Sequence, residues 1–116
     1  MNIGIDIEEI ERFAKYLKNK NCLQRFFVKE EISYSLQKKN AVQHLAVRFA
    51  AKEAVWKALR STENIKLSIA DISIKNTKDG KPYVCIKRKR CKKINISLSH
   101  TKKYVVAVAI VFDKIY

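Results

Sequence analysis

The chain has 116 residues, of which 47% are hydrophobic and 31% charged, and its formal net charge is +14 at pH 7. This length suits one domain, residues 1–116, with a buried core and excludes two. No apolar run approaches the ~20 residues of a membrane-spanning helix. The N-terminal segment carries acidic residues where a secretory signal would be basic and then apolar. We therefore expect a folded cytoplasmic protein that makes no use of a membrane.

The basic excess predicts a polyanionic partner, because such a surface attracts anions and speeds their arrival. Charge alone suggests nucleic acid. However, the sequence contains no helix-turn-helix, RNP-like or zinc-finger pattern. A basic nucleic-acid-binding module without catalysis therefore stays as the alternative function, and nucleic acid is not the expected partner. The densest basic run, residues 87–93, is expected to be a solvated connection between two strands.

The cysteines are three in number and widely spaced, at positions 22, 85 and 91. An odd count without a histidine cluster argues against a disulfide framework and against a zinc site. We expect all three to be reduced thiols.

The first 40 residues predict one strand followed by short helices. Residues 1–7 alternate isoleucine with glycine and aspartate, which indicates a strand whose isoleucine face is buried. An amphipathic helix is expected over residues 8–20, for which Asp6 could serve as the N-cap. A turn with a short helical piece follows at residues 21–27, and a second helix at residues 29–38.

Residues 41–61 predict a long central helix that is apolar on two opposite sides. Such a helix is usually buried on both sides. Glu53 and Lys57 share a narrow band between the apolar faces. Glu53 should be at least half-enclosed, where a charge is costly unless it is paired or bound to a metal. The alternative is an i,i+4 ion pair with Lys57, worth ~0.2–0.5 kcal/mol on a surface.

The second half of the chain predicts strands. After a polar loop at residues 62–70, strands are expected at residues 71–75 and 82–87, joined by a turn at Asp79-Gly80. Another pair is expected at residues 94–99 and 104–113, and the latter, apolar on both faces, should be a central strand. His100 comes at a strand end beside a turn, where catalytic side chains often project, although a solvated histidine is the alternative. The expected fold is α+β, with helices in the first half packed on a mostly antiparallel sheet that includes the N-terminal strand.

Three segments in this order resemble the motifs of a known family. They are GIDIEEIERF, RFAAKEAVWKAL and ISLSHTKKYVVAVA, and the turn DGKPY also recurs in that family. They resemble the holo-acyl-carrier-protein synthases, the small bacterial 4′-phosphopantetheinyl transferases, over nearly the whole chain. The resemblance implies transfer of the phosphopantetheine arm of coenzyme A to a serine of an acidic acyl carrier protein, in fatty acid biosynthesis. It also implies a homotrimer with active sites in the clefts between subunits. One apolar face of the central helix would then pack on its own sheet, and the other could approach a neighbouring copy of the chain.

The resemblance implies roles for particular residues. Asp6 and Glu53 match the family's magnesium ligands, and magnesium suits carboxylate and phosphate oxygens. Glu53, Lys57 and His100 match catalytic positions, with the base being either Glu53 or a metal-bound water. The coenzyme contacts implied are Lys39, Arg48, Lys57, Gly80, Lys81, Pro82, His100 and Thr101. Docking of the carrier protein is implied for Arg12, Lys15, Lys18 and Arg25, for which an ordinary solvated face is the alternative.

Two features depart from the family pattern. The loop at residues 60–67 lacks the usual glycine, which puts a close approach of its backbone to a ligand in doubt. Trp56 replaces a smaller or polar residue and is expected to pack in the core or an interface. A carrier-protein-binding scaffold without catalysis is a third interpretation, and it would not need Lys57 or His100.

Overall fold

A computed structural model of the protein describes residues 1–60 and 66–114. The helices are α1 (Lys20–Phe26), α2 (Lys29–Leu36) and α3 (Ala41–Arg60), with 3₁₀ helices at Ile10–Lys18 and Ile69–Asp71. The strands are β1 (Asn2–Glu9), β2 (Ile72–Asn76), β3 (Pro82–Ile86), β4 (Lys89–Arg90), β5 (Ile94–His100) and β6 (Tyr104–Val111). Part of the predicted loop 62–70, and Ser61 at the predicted end of the central helix, lie outside the described residues.

The strands form two antiparallel three-stranded sheets, in the orders β1–β6–β5 and β2–β3–β4. The prediction that the last strand is central is confirmed, because β6 pairs with β1 on one side and β5 on the other. The N-terminal strand returns to the sheet as predicted, with Asn2 opposite Val111 and Glu9 opposite Tyr104. The α+β class is therefore confirmed. No helix within residues 1–60 and 66–114 is long and apolar enough to cross a bilayer.

Small residues set the distance between α3 and the first sheet. Ala50, Ala54 and Ala58 are fully buried on the helix face that packs against the sheet. Gly4 of β1 faces this stripe. A Cβ at Gly4 would overlap the carbonyl oxygen of Ala54 and lie 2.9 Å from the backbone nitrogen of Ala58. Glycine at this position therefore lets the strand and helix backbones meet, which brings their polar side chains close together.

The second apolar face of α3 is covered by the chain itself, which corrects the expectation of a neighbouring copy there. Leu45 is fully buried. The ring centroid of Phe49 lies 5.3 Å from that of Phe13 and 5.6 Å from that of Phe26. The 3₁₀ helix and α1 thus fold over this face. Trp56 packs against the core, as predicted, and its indole N–H donates to the carbonyl oxygen of Leu67 at 3.0 Å.

The isoleucine face of β1 is exposed in the chain, which corrects the prediction that it is buried. Ile3, Ile5 and Ile7 are 68%, 60% and 62% exposed. The alternation was predicted correctly, but the face of β1 that packs against α3 is the one that carries Gly4. At that position only glycine leaves room for the helix backbone. The exposed isoleucines continue across β6 as an outer apolar face, formed by Ile3, Ile5, Ile7, Val106, Val108 and Ile110.

The first predicted helix begins later than expected and is a 3₁₀ helix. Glu8 and Glu9 extend the ladder with β6, and the backbone N–H of Ile10 donates to the carbonyl oxygen of Lys103 at 2.9 Å. Sheet pairing thus replaces the first helical turn. Asp6 lies inside β1, so its interpretation as an N-cap is wrong. Glu9 occupies the cap position and makes no side-chain cap hydrogen bond.

A buried ion pair fastens α2 to α3 and β2. Lys52 is fully buried, and its ammonium lies 2.6 Å from Glu31 Oε1 and also donates to the carbonyl oxygen of Phe26. Glu31 accepts the backbone N–H groups of Val28 and Ile74, each at 2.9 Å. Both carboxylate oxygens are therefore paired, which a buried carboxylate requires. Nothing in the spacing of these residues predicted the pair.

The basic run at residues 87–93 is partly a strand, which corrects its interpretation as a plain connection. Lys87 and Arg88 adopt φ of 50° and 71° and form the turn between β3 and β4. Hairpin turns with positive φ favour Asn-Gly, so the sequence did not signal this one. Arg90 lies over the ring of Tyr83, with its guanidinium carbon 4.3 Å from the ring centroid. The run is exposed apart from Cys91, as expected.

Candidate active site

Asp6 and Lys57 form the contact that joins β1 to the last third of α3. The side chain of Asp6 is 11% exposed and that of Lys57 is 44% exposed. The Lys57 ammonium donates to Asp6 Oδ1 at 3.3 Å and to the backbone carbonyl oxygen of Ile5 at 3.1 Å. Asp6 Oδ2 is buried and has no hydrogen-bond partner among the described residues. A buried carboxylate oxygen left free is suited to bind a cation.

Glu53 stands one turn before Lys57 and is partly buried, as predicted. Burial, and then the nearby Asp6 carboxylate, raises the pKa of Glu53, while Lys57 and Arg60 act in the opposite direction. The structure departs from the alternative of an i,i+4 ion pair, because the Lys57 ammonium pairs with Asp6. The arrangement leaves the carboxylate of Glu53 beside that of Asp6, which is unfavourable unless a proton or a cation lies between them.

Glu8 is a third carboxylate of this group, and sequence reasoning missed it. Its side chain is 10% exposed and accepts a hydrogen bond from Arg12 Nη1 at 3.2 Å. Burial and the nearby Asp6 raise the pKa of Glu8 to about 7, with a smaller contribution from Glu53. A signal was available: residues 6 and 8 share one face of a strand. The early start assigned to the first helix hid that relation.

Arg48 belongs to a second group, on the other half of α3. It is 4% exposed, and its guanidinium donates to Asn76 Oδ1. The guanidinium carbon lies 4.3 Å from the ring centroid of Tyr34. Arg48 Nε is buried without a hydrogen-bond partner among the described residues. The side chain is thus fixed in position by Asn76 and Tyr34, and Arg48 lines a cavity.

That cavity has a volume of about 430 Å³ and lies between α3, β5 and the turn from β2 to β3. Four of the predicted coenzyme contacts line it: Arg48, Gly80, Pro82 and His100. Gly80 has φ of +89°, a conformation that favours glycine, and no atom lies within 4 Å of where its Cβ would be. The predicted turn thus presents open backbone to the cavity.

Besides Lys57, three further predicted coenzyme contacts lie outside this lining. Lys39 and Lys81 are exposed. The hydroxyl oxygen of Thr101 accepts the backbone N–H groups of Lys103, at 3.2 Å, and Tyr104, at 3.0 Å. Thr101 therefore shapes the turn after β5. These three remain predictions as coenzyme contacts.

The two groups lie at opposite edges of the first sheet. Residues Glu8, Val105 and His100 form one row across β1, β6 and β5. At ~4.8 Å per strand, the backbones of Glu8 and His100 are about 10 Å apart. The structure thus brings Asp6, Glu53 and Lys57 together, and separately Arg48 and His100. Lys57 is not among the residues that line the cavity beside Arg48, whereas His100 is.

The predicted docking cations are exposed. Arg12, Lys15 and Lys18 lie on the first 3₁₀ helix and Arg25 on α1. Arg12 pairs with Glu8, whereas the other three form no ion pair with a described residue. Unpaired surface cations are available to an acidic partner.

Sequence reasoning also missed cavity residues, notably Tyr34, His44 and Asn76. Tyr34 and Asn76 reach Arg48 only because α2 and β2 fold against α3, so no spacing announces them. His44 precedes Arg48 by four residues on a predicted helix, and this spacing could have identified it.

Comparison with known proteins supplies the family. A model of the 4′-phosphopantetheinyl transferase superfamily matches residues 2–109. A holo-[acyl-carrier-protein] synthase of Treponema denticola is 42% identical over 120 residues, covering 96% of this chain and 97% of its own. The enzyme of the same name from Bacillus subtilis is 35% identical, covering 94% and 93%.

Solved structures agree. The holo-(acyl-carrier-protein) synthase of Bacillus anthracis, in complex with CoA (3′,5′-ADP), is 31% identical with a TM-score of 0.76, covering 93% of this chain and 92% of its own. That of Helicobacter pylori, in complex with coenzyme A, is 30% identical with a TM-score of 0.76, covering 94% and 98%. The chain therefore belongs to the 4′-phosphopantetheinyl transferase superfamily and, within it, to the holo-acyl-carrier-protein synthases.

Proposed function

We propose that the protein transfers the phosphopantetheine group of coenzyme A to a serine of apo-acyl carrier protein and releases adenosine 3′,5′-bisphosphate. The observation that carries the proposal is the free, buried oxygen of Asp6 beside Glu53 and Lys57. Attack of an alcohol on a diphosphate requires charge neutralisation, a base and help for the leaving phosphate. This group of three side chains can supply all three.

Magnesium is the proposed metal, held by Asp6 and Glu53. The fit is chemical: two carboxylates lie near each other, one has a free buried oxygen, and the pKa of the other is raised first by burial and then by the charge of Asp6. The described residues contain no cluster of three or more His, Cys, Asp or Glu placed to hold a metal ion. Two protein ligands suit magnesium, which usually takes the rest from phosphates and water. When bound, the ion neutralises diphosphate charge.

The side chains divide the chemistry between them. Glu53 is one candidate for the base that accepts the proton of the serine hydroxyl, because in the protein without metal burial and Asp6 both favour its protonated form. The Lys57 ammonium, held by Asp6 and by the carbonyl of Ile5, contacts the diphosphate and stabilises the leaving phosphate. His100, at the end of β5, contacts the phosphates from the other side, with Thr101 next to it.

The nucleotide end of coenzyme A occupies the cavity beside Arg48. Arg48 offers a fixed guanidinium, and the backbone at Gly80 and Pro82 is open. We propose Lys39 and Lys81, both exposed, as mobile cations that reach the ligand's outer phosphate. Arginine suits this position because its fork of donors matches phosphate oxygens.

A homotrimer with active sites between subunits would join the two groups. In one copy the carboxylates lie at the β1 edge and His100 at the β5 edge. A neighbouring copy could place its own β5 edge beside this β1 edge. The outer apolar face is available for such a contact, because its isoleucines are 60–68% exposed.

The carrier protein is proposed to dock on Arg12, Lys15, Lys18 and Arg25. Cations of this kind attract an acidic partner and orient it, although each contributes little alone. We also propose the cytoplasm as the compartment, because Cys22, Cys85 and Cys91 are all free thiols.

The test is the intact mass of apo-acyl carrier protein after incubation with this protein, coenzyme A and magnesium. We expect the gain of one phosphopantetheine group, and no gain with a chelator. Asp6→Asn and Glu53→Gln should abolish the gain, whereas Glu30→Gln, an exposed carboxylate on α2, should keep it. Full activity of both site variants would contradict the metal site. No gain by folded wild type, with salt-sensitive binding of a duplex, would instead favour the nucleic-acid alternative.

A further inference from the structure

We propose that His44 is a further ligand-binding residue, whose imidazole takes up a proton and pairs with a phosphate of the nucleotide bound in the cavity beside Arg48. The inference rests on the proposed function, because it takes coenzyme A or its product adenosine 3′,5′-bisphosphate as the ligand. It adds His44, which the motifs did not include, to the binding residues. It also predicts that ligand binding is coupled to the uptake of a proton.

The position of His44 is fixed by its neighbours. It lies in the first turns of α3, four residues before Arg48, so both side chains project from the same side of the helix. Both line the cavity, and His100 lines it from β5. The His44 ring meets Tyr34 edge-on, with centroids 6.1 Å apart and planes at 77°. The imidazole is thus held at the cavity wall.

The cavity is built for an anion. Its lining contains Arg48 and both histidines of the chain, but no aspartate or glutamate. The remaining lining residues are Tyr34, Gln43, Val47, Ile74, Asn76, Gly80, Pro82, Ile96, Ser97, Leu98 and Ser99. Lys38, just after α2, adds a charge nearby, with its Nζ 4.6 Å from the Tyr34 ring centroid. An anion that enters this cavity meets positive charge and no carboxylate in its lining, although Glu31, behind Arg48, offsets part of that charge.

In the free protein the same charges disfavour a charged His44. Burial, followed by Arg48, Lys38 and His100, lowers the pKa of His44. These groups come from every side: Arg48 from its own helix, Lys38 and Tyr34 from α2 and the turn after it, and His100 from β5. The imidazole is therefore neutral at pH 7, because its ordinary pKa of about 6.5 is already below that value.

A bound phosphate favours the charged form of His44 instead. It carries about −1.5 to −2 charges at pH 7 and accepts hydrogen bonds strongly. Its arrival cancels the repulsion from Arg48 and Lys38 and favours imidazolium, so binding should consume a proton. By linkage, one such proton strengthens binding by up to about tenfold per pH unit as the pH falls. If His44 only packs against Tyr34, its protonation will not change.

The first measurement is calorimetric binding of adenosine 3′,5′-bisphosphate to the full chain, with chelator, between pH 6 and 8. Two buffers of different ionisation enthalpy report the protons taken up. Wild type, His44→Gln and His44→Phe are compared, so that the ligand's own ionisation cancels. We expect the affinity of wild type to exceed that of His44→Gln by up to about tenfold at pH 6 and by little at pH 8. His44→Phe, which keeps the edge contact with Tyr34, should behave like His44→Gln.

The second measurement is the NMR titration of the two imidazole Cε1–H signals, in protein without a histidine tag. The chain has only two histidines, so the signal that disappears in His44→Gln is assigned. We expect the midpoint of His44 to rise by one pH unit or more when the ligand saturates the protein. The signal that remains in a His100→Gln variant checks the assignment of His44.

The outcomes separate the two proposals. Binding to wild type with an unchanged His44 midpoint, or equal proton uptake by wild type and His44→Phe, overturns this inference and leaves the proposed function standing. Failure of folded wild type to bind both adenosine 3′,5′-bisphosphate and coenzyme A overturns the proposed function, and this inference with it.

Discussion

The buried pair of Lys52 and Glu31 makes the sharpest prediction about stability. Replacing Lys52 with methionine keeps most of the side chain's volume but removes its charge. The Glu31 carboxylate, 1% exposed, would then keep its two backbone donors and lose its only cation within 4 Å among the described residues. Breaking a buried pair by removing one partner costs about 3–5 kcal/mol. That is a large fraction of the ~5–15 kcal/mol by which small proteins are stable.

The chain offers a matched control five residues further along the same helix. Lys57 also pairs with a carboxylate, Asp6, but 44% of its side chain is exposed. Solvent screens that pair, so Lys57→Met should cost less than about 1 kcal/mol. Both substitutions replace a lysine of α3 with methionine. Their difference therefore reports burial rather than helix propensity.

The assay is urea unfolding at pH 7, at one protein concentration and with a chelator. With a slope of about 2 kcal/mol/M, Lys52→Met should lower the midpoint by about 1.5–2.5 M, and Lys57→Met by less than about 0.5 M. If the two variants unfold within 0.5 M of each other, with equal slopes, the pair does not hold α2 on α3.

Three further predictions follow from the fold. Gly4→Ala adds a Cβ that overlaps the Ala54 carbonyl, so α3 must shift away from β1. Thermal melts should show that the free energy of unfolding falls by about 1–3 kcal/mol, and an unchanged melting temperature would contradict the close packing. Glu8 has its pKa raised to about 7 in the folded protein, so the stability it contributes is present below about pH 4.5 and is lost as the pH rises through 7. In the presence of a chelator, Glu8→Gln should therefore have a higher melting temperature than wild type at pH 8 and the same melting temperature at pH 4. A lower melting temperature than wild type at pH 8 would contradict this reasoning. Ile5→Asp, on the outer apolar face, should shift the mass measured by light scattering from trimer towards monomer, whereas a wild-type monomer at all concentrations would contradict the proposed assembly.

The sequence was most informative where periodicity decides the element. The apolar run of β6 and the long pattern of α3 were predicted to within about two residues. It was least informative where two rules compete. Glu8 and Glu9 fit a helix start by composition, but their pairing with β6 keeps them in the strand. The αL turn at Lys87 and Arg88 contradicts the usual turn chemistry, so β4 could not be found.

Which face of β1 is buried illustrates a deeper limit. Alternation shows that two faces differ, and hydrophobicity then assigns the isoleucines to the core. Here the backbone of α3 approaches so closely that only glycine fits, and the isoleucines point outwards. Pattern counting treats burial as a property of one chain. A face that is exposed in one copy can still be buried in an assembly, and the sequence does not distinguish the two cases.

The site residues illustrate the same limit of prediction from sequence. Motifs identified Asp6, Glu53, Lys57, Arg48 and His100 without regard to where each would lie. The sheet register then separates them by the width of three strands, with the carboxylates at one edge and His100 at the other. Proton transfer and phosphate binding require contacts of about 3 Å, and the proposed assembly would bring both groups to one phosphate. The exposed isoleucines lie on the β1 side of that same sheet. The proposed contact between copies would bury this apolar face and place the β5 edge of a neighbour beside the carboxylates, so we expect assembly and activity to vary together.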